Sequence, residues 1–179
     1  MKVKLLLTIF GTIFFLNCTY KGDEKASTLA LVPENSPVII KINDFDTFTS
    51  EIKENEILKS FQNSDRIAQL ANRLKPLKYV KSQLGGYLAI TDHPKKDFDF
   101  VYIPTDSLPQ IVLDSTTNKI VEKIVKGDLE FSRYEIDGSI FYTSIIQNKE
   151  IVGSSESAIE MVSESIRRSV SRKKAFCKI

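Results

Sequence analysis

The chain has 179 residues, 42% of them hydrophobic and 27% charged, with one histidine, two cysteines and no tryptophan. Its formal charge of +2 hides an asymmetry. Lys2 and Lys4 open the chain and Arg167, Arg168, Arg172, Lys173, Lys174 and Lys178 follow the last acid, Glu164, which leaves a body of 17 basic and 23 acidic residues. An acidic body argues against a nucleic-acid partner, a lone histidine excludes a two-histidine metal site, and two cysteines exclude a cysteine metal cluster. No cofactor is implied.

The first element is a signal. Lys2 and Lys4 form a short positive start, and Leu5 to Leu16 form an apolar run of 12 residues interrupted by Thr8, Gly11 and Thr12. A membrane-spanning helix needs about 20 apolar residues, so this run is too short to be one. A positive start, a short apolar middle and a polar break are the marks of a secretory signal. The usual small-x-small cleavage site is absent, and Cys18 stands where the apolar run ends.

Phe15-Leu16-Asn17-Cys18 resembles the lipobox of bacterial lipoprotein signals. The resemblance implies that residues 1–17 are removed, that Cys18 carries a thioether-linked lipid, and that its new amino group is acylated. Buried acyl chains contribute about 0.8 kcal/mol per CH₂, and stable anchoring takes more than one chain. A plain secretory signal with Cys18 incidental, or an uncleaved anchor, are the alternatives. Residues 18–30 then read as the lipidated cysteine and a polar tether, in which Lys21, Asp23 and Glu24 faintly resemble the surface-export signals of Bacteroidetes lipoproteins. The implied location is the cell envelope, at the periplasmic face or the outer-membrane surface, with the membrane as a partner through the anchor. With Cys18 lipidated, Cys177 has no partner for an internal disulfide.

The body follows as residues 31–166. Val38 to Ile42, β-branched and preceded by Pro33 and Pro37, predicts a strand. Asp44 then caps a helix running towards Phe61, with a break near Asn55. Ser64 caps a second helix whose Ile67, Leu70, Ala71 and Leu74 have core spacing. Pro76 opens a short helix, and Gly85-Gly86 interrupts the chain. Tyr87 to Thr91 and Phe98 to Ile103 predict two strands joined as a hairpin, the second with Phe98, Phe100 and Tyr102 on one face and Asp99, Val101 and Ile103 on the other.

A helix is expected over Thr116–Lys126, with Ile120, Val121, Ile124 and Val125 inward and Gly127 as terminator. Asp137-Gly138 marks a two-residue hairpin turn between Leu129 and Ile146. A further strand follows Gln147-Asn148-Lys149. Ser154 or Ser155 then caps a helix buried through Ile159, Val162, Ile166 and Val170. Helices separated by antiparallel hairpins predict an α+β fold: an antiparallel sheet packed with several amphipathic helices in a single domain. Residues 167–179 read as a basic, disordered or truncated tail.

The block from Leu31 to Phe61 resembles the amino-terminal block of exported bacterial proteins of the DUF3352 family: a Pro-Glu turn, an aliphatic strand ending in Asn, and a helix. Glu150 to Ile166 is similar to a later element of that family, a strand ending in two serines that cap a helix. The resemblance covers about two thirds of the chain. It implies an envelope lipoprotein of flavobacterial kind with no established activity. Such proteins run several hundred residues further, so the abrupt "RRSVSRKKAFCKI" ending is expected to mark an amino-terminal fragment or a frame-shifted end.

Chemistry is sparse. Gly153-Ser154-Ser155-Glu156-Ser157 sits where a nucleophile elbow would be, although Ser157 replaces the second glycine and His93 is the sole histidine base. Helix capping explains these serines better. Asp92, Asp97 and Asp99 could gather round a cation, but a solvated strand face is the expected reading. No catalytic, cofactor-binding or metal residue is assigned, and Cys18 is the one site residue. The expected role is non-catalytic binding or assembly with an envelope protein partner, the rival being an exported hydrolase that uses the turn at 153–157.

Overall fold

The computed structural model describes residues 27–56, 64–93, 96–107, 111–113 and 119–176. Cys18, the signal and most of the tether lie outside them. The described chain forms one seven-stranded sheet in the order β1-β2-β3-β7-β6-β5-β4, with every neighbouring pair antiparallel. The strands are β1 (Val38–Ile42), β2 (Gly86–His93), β3 (Lys96–Pro104), β4 (Lys119–Lys126), β5 (Leu129–Ile136), β6 (Ser139–Ile146) and β7 (Lys149–Gly153). The helices are α1 (Phe45–Glu54), α2 (Asp65–Leu74) and α3 (Glu156–Phe176), with 3-10 turns at Thr28–Leu31 and Lys75–Tyr79.

This architecture corrects the expected α+β fold. The molecule is β-dominated, and little helix packs on the sheet. Of the three helices among the described residues, α3 lies across β3, β6 and β7. The segment expected as a helix over Thr116–Lys126 contributes β4 instead. Its Ile-Val pairs at 120–121 and 124–125 fit a helical period, but β-branched side chains lose rotamer freedom in a helix and favour a pleated surface. Gly127, at φ 60, and Asp128 then turn the chain directly into β5, so Lys126 faces Leu129 across the hairpin.

The other turns follow their residues. Asp137-Gly138 (φ 49 and 72) and Gln147-Asn148 (φ 50 and 63) place both central residues at positive φ, the geometry whose twist matches paired strands. Asp44 Oδ1 accepts from Thr47 N at 2.7 Å and starts α1, which stops at Glu54. Gly85 has φ +66, and a Cβ there would lie 2.0 Å from the Ile42 carbonyl oxygen, so glycine is required where the chain enters β2. The last helix continues through the basic run to Phe176, where a disordered tail was expected.

Two apolar clusters sandwich the sheet. On one face Ala89, Val101, Ile103, Phe131 and Ile151 pack beneath Leu31 and the α3 residues Ala158, Ile159 and Val162. On the other, Leu88, Phe100, Tyr102, Ile136, Phe141 and Val152 pack beneath Leu77 and Val80, with Phe48, Leu74, Ile111 and Leu113 at the margin. β3 is buried from Asp99 to Pro104 because both layers meet over it. β4 lies at the far edge, where the α3-side cluster reaches Ile124 but leaves Ile120, Val121 and Val125 exposed.

Candidate functional site

The strand β3 and the β7–α3 turn meet at a single narrow seam, where Val101 pairs with Gly153 and Tyr102 with Val152. Just beyond that seam the backbone bonds continue through a side chain: Ser154 N donates to the Phe100 carbonyl at 3.0 Å, and Phe100 N donates to Ser154 Oγ at 2.9 Å. The Ser154 hydroxyl donates in turn to Asp99 Oδ1 at 2.7 Å, and the Ser155 hydroxyl donates to Asp99 Oδ2 at 2.7 Å. Ser155 Oγ also accepts from Ala158 N at 3.2 Å and so caps α3.

Asp99 is 1% exposed. A carboxylate taken out of water must be paired and hydrogen-bonded, and Arg73 at the end of α2 supplies the charge. Arg73 Nη1 lies 3.3 Å from Asp99 Oδ1 and also donates to the Phe98 carbonyl, with the guanidinium 5.1 Å from the centre of the Phe98 ring. One acid therefore ties together α2, β3 and the start of α3. Across the strands from Asp99 stands Thr91, fully buried, whose hydroxyl has no hydrogen-bond partner among the described residues.

The turn at 153–157 and Asp99 are thus brought together, but Asp99 is a buried anchor and not part of a solvated acidic face. Asp92 is exposed at the end of β2. The side chains of His93 and Asp97 lie outside the described residues. Among the described residues no group of His, Cys, Asp and Glu is arranged to hold a metal ion. A serine hydroxyl donating to a carboxylate has the connectivity of a nucleophile and its base, but here both hydroxyls are also held by the backbone and the carboxylate is sealed from solvent. The arrangement clamps a helix start to a strand.

Sequence reasoning missed Asp99 and Arg73 as partners. The available signal was parity: Asp99 shares its strand face with Val101 and Ile103, which are core residues, so a charge there needs a partner.

A second polar knot closes the other end of the β2–β3 pair, where Gly86 faces Pro104. Ser82 Oγ lies 2.6 Å from the Gly85 carbonyl oxygen and 2.7 Å from Asp106 Oδ1, and Gln83 N donates to Asp106 Oδ2 at 2.8 Å. Burial pushes the neighbouring Tyr102 phenol well above its ordinary range, so that group stays neutral. Gly86 makes room for it: a Cβ at that position would sit 2.6 Å from the Tyr102 hydroxyl oxygen.

Among the described residues no helix is long and apolar enough to cross a membrane. No family model, curated protein or solved structure matches the chain.

Proposed function

We propose that the chain is an exported, lipid-anchored envelope protein of DUF3352-like kind with a non-catalytic binding or assembly role. Lys2, Lys4, the short apolar run from Leu5 to Leu16 and Cys18 at its polar border support the anchor. That anchor holds the acidic body at the periplasmic face or the outer-membrane surface. The observation that carries the non-catalytic reading is the engagement of Ser154 and Ser155 by one buried carboxylate. The hydroxyls best placed for nucleophilic chemistry are structural ties.

The anchor is tested by the intact mass of the native protein extracted from membranes in detergent. The expected product begins at Cys18 and carries diacylglyceryl and acyl groups; a soluble product with an unmodified Cys18 sinks the reading. The role is tested with a serine-reactive probe on the folded protein. No labelling is expected at Ser154, Ser155 or Ser157, and stoichiometric labelling at any of them moves the protein to the hydrolases.

A further inference from the structure

Strand β4 carries apolar residues on both faces, the composition of a strand covered on both sides. Ile120, Val121 and Val125 are nevertheless 54, 46 and 76% exposed, and Ile140 and Ile145 on β6, the strand beyond β5, are 44 and 75% exposed. The outer side of β4 pairs with no strand among the described residues. At eight residues it is longer than β1, the five-residue strand at the opposite edge. A long apolar edge is a template for another strand.

We propose that β4 docks on a second copy of this chain, Glu122–Lys126 pairing antiparallel with itself across a two-fold axis at Ile124. The choice of occupant and register comes from charge. A two-fold axis normal to the sheet keeps each face on its own side, so residues opposite one another must share a face and the axis must pass through a residue. Centring on Glu122 or Lys123 sets that charge against its own copy, and centring on Val121 sets Lys119 against the partner's Lys123 twice. Centring on Ile124 sets Glu122 opposite the partner's Lys126, twice by symmetry, with no like charges opposed.

The neighbouring residues fit the same register. Glu122 already accepts from Arg133 at 3.1 Å, and Lys126 already lies 2.8 Å from Glu160. All four sit on the α3 side of the sheet, so pairing produces a row of alternating sign: Arg133, Glu122, the partner's Lys126, the partner's Glu160. Ile124 is half-buried and packs against the α3-side core, so its contact with the partner's Ile124 joins the two cores. The interface is isologous and closes at two copies.

This dimer gives content to the binding or assembly reading and rests on it. The test uses the full chain, extracted in mild detergent, with Cys177→Ser to remove that thiol. Opposed residues in an antiparallel pair have Cβ atoms about 4.5–5.5 Å apart, near disulfide range. Ile124→Cys is expected to oxidise rapidly to a covalent dimer, and Lys123→Cys, which faces the partner's Val125, much more slowly.

Sedimentation supplies a second readout. Glu122→Lys is expected to weaken the dimer by about tenfold or more, since two opposite-charge pairs become two like-charge pairs. Adding Lys126→Glu restores it, while circular dichroism shows that each variant remains folded. A chain that stays monomeric, or an Ile124→Cys variant that cross-links no faster than Lys123→Cys, overturns the proposal and gives the edge to a different strand. A lipidated monomer sinks the dimer alone. A dimer whose Cys18 is unmodified sinks the anchor alone.

Discussion

In β3 the side chains of Phe100, Val101, Tyr102 and Ile103 are fully buried, while in β4 Ile120, Val121 and Val125 face solvent. The two strands have similar raw material: each presents apolar residues to both faces of the sheet. β3 is covered because α3 and the Thr28–Leu31 turn lie over one face and the Lys75–Tyr79 turn over the other. The α3 layer touches β4 at Ile124 and Lys126 and leaves Ile120, Val121 and Val125 open to solvent. An apolar strand therefore records that it is to be covered without recording by what. In β3 the cover comes from the chain itself, and in β4 it is the surface assigned here to a second copy.

The sharpest way to break this comparison is to attack what fastens the cover over β3. Asp99→Ala removes the acceptor of Ser154 and Ser155 and leaves the Arg73 guanidinium without its carboxylate. The expected loss is about 4 kcal/mol of unfolding free energy, read from urea denaturation. Asp99→Asn keeps the shape and one acceptor and loses less. If Asp99→Ala loses no more than a surface acid would, the seam is held by backbone pairing alone.

Next in size is the paired truncation Ile103→Ala in β3 and Val125→Ala in β4. The first leaves a cavity beneath α3 and costs about 3 kcal/mol. The second removes exposed methyl groups and, at concentrations where the chain is monomeric, stays within about 0.5 kcal/mol of the parent. Equal losses would mean that β4 is covered within one chain and that the contrast between the strands is wrong.

A change of opposite sign sharpens the same point. Thr91 lies on the covered side of β2, fully buried, with a hydroxyl that makes no hydrogen bond among the described residues. A buried donor without a partner is costly, so Thr91→Val, nearly the same in shape, is expected to raise stability by about 1 kcal/mol in the same denaturation assay. A loss instead would show that the hydroxyl finds a partner in solution.

How much of this was legible in the sequence follows from where the information is local. Asp44 and the start of α1, the Asp137-Gly138 turn, and the Ile159–Val162 stripe of α3 are each written within a few residues, and each stands in the structure as read. β4 was read as a helix because its Ile-Val pairs satisfy a helical period as well as a two-sided strand does; the available edge of β5 decides, and that edge is a tertiary fact. The apposition of β3 with β7 joins residues about fifty positions apart, so the pairing of Asp99 with Ser154, Ser155 and Arg73 could be sensed only as a charge on a core face. The overall class failed for the same reason: one segment that is a strand and not a helix, and two short helices at the margin of the sheet, turn an expected α+β fold into a β-dominated one.

The smallest effect tests how the outer hairpins are fastened to the covered half. Asp137, in the β5–β6 turn, accepts from the Tyr79 hydroxyl at 2.6 Å and from Lys78 Nζ at 3.2 Å, both on the 3-10 turn that caps the other face of the sheet. Tyr79 also stacks on Phe141, and Phe141 on Tyr134. The hydrogen bond from Tyr79, and then that from Lys78, hold the Asp137 carboxyl below its ordinary value. A depressed folded-state value means that the unfolded chain takes up the proton first. The contribution is therefore present above the unfolded carboxyl range and is lost as pH falls through the folded value. The pair is exposed to solvent, so the effect is small and screened by salt. Asp137→Asn keeps a residue that tolerates positive φ and removes only the charge. The urea midpoints of parent and variant are expected to differ at pH 7 and to converge as the solution is acidified towards pH 2. A gap that persists at pH 2 would show that the hairpin is held to the turn by the Tyr79–Phe141 stack and not by the ionised carboxylate.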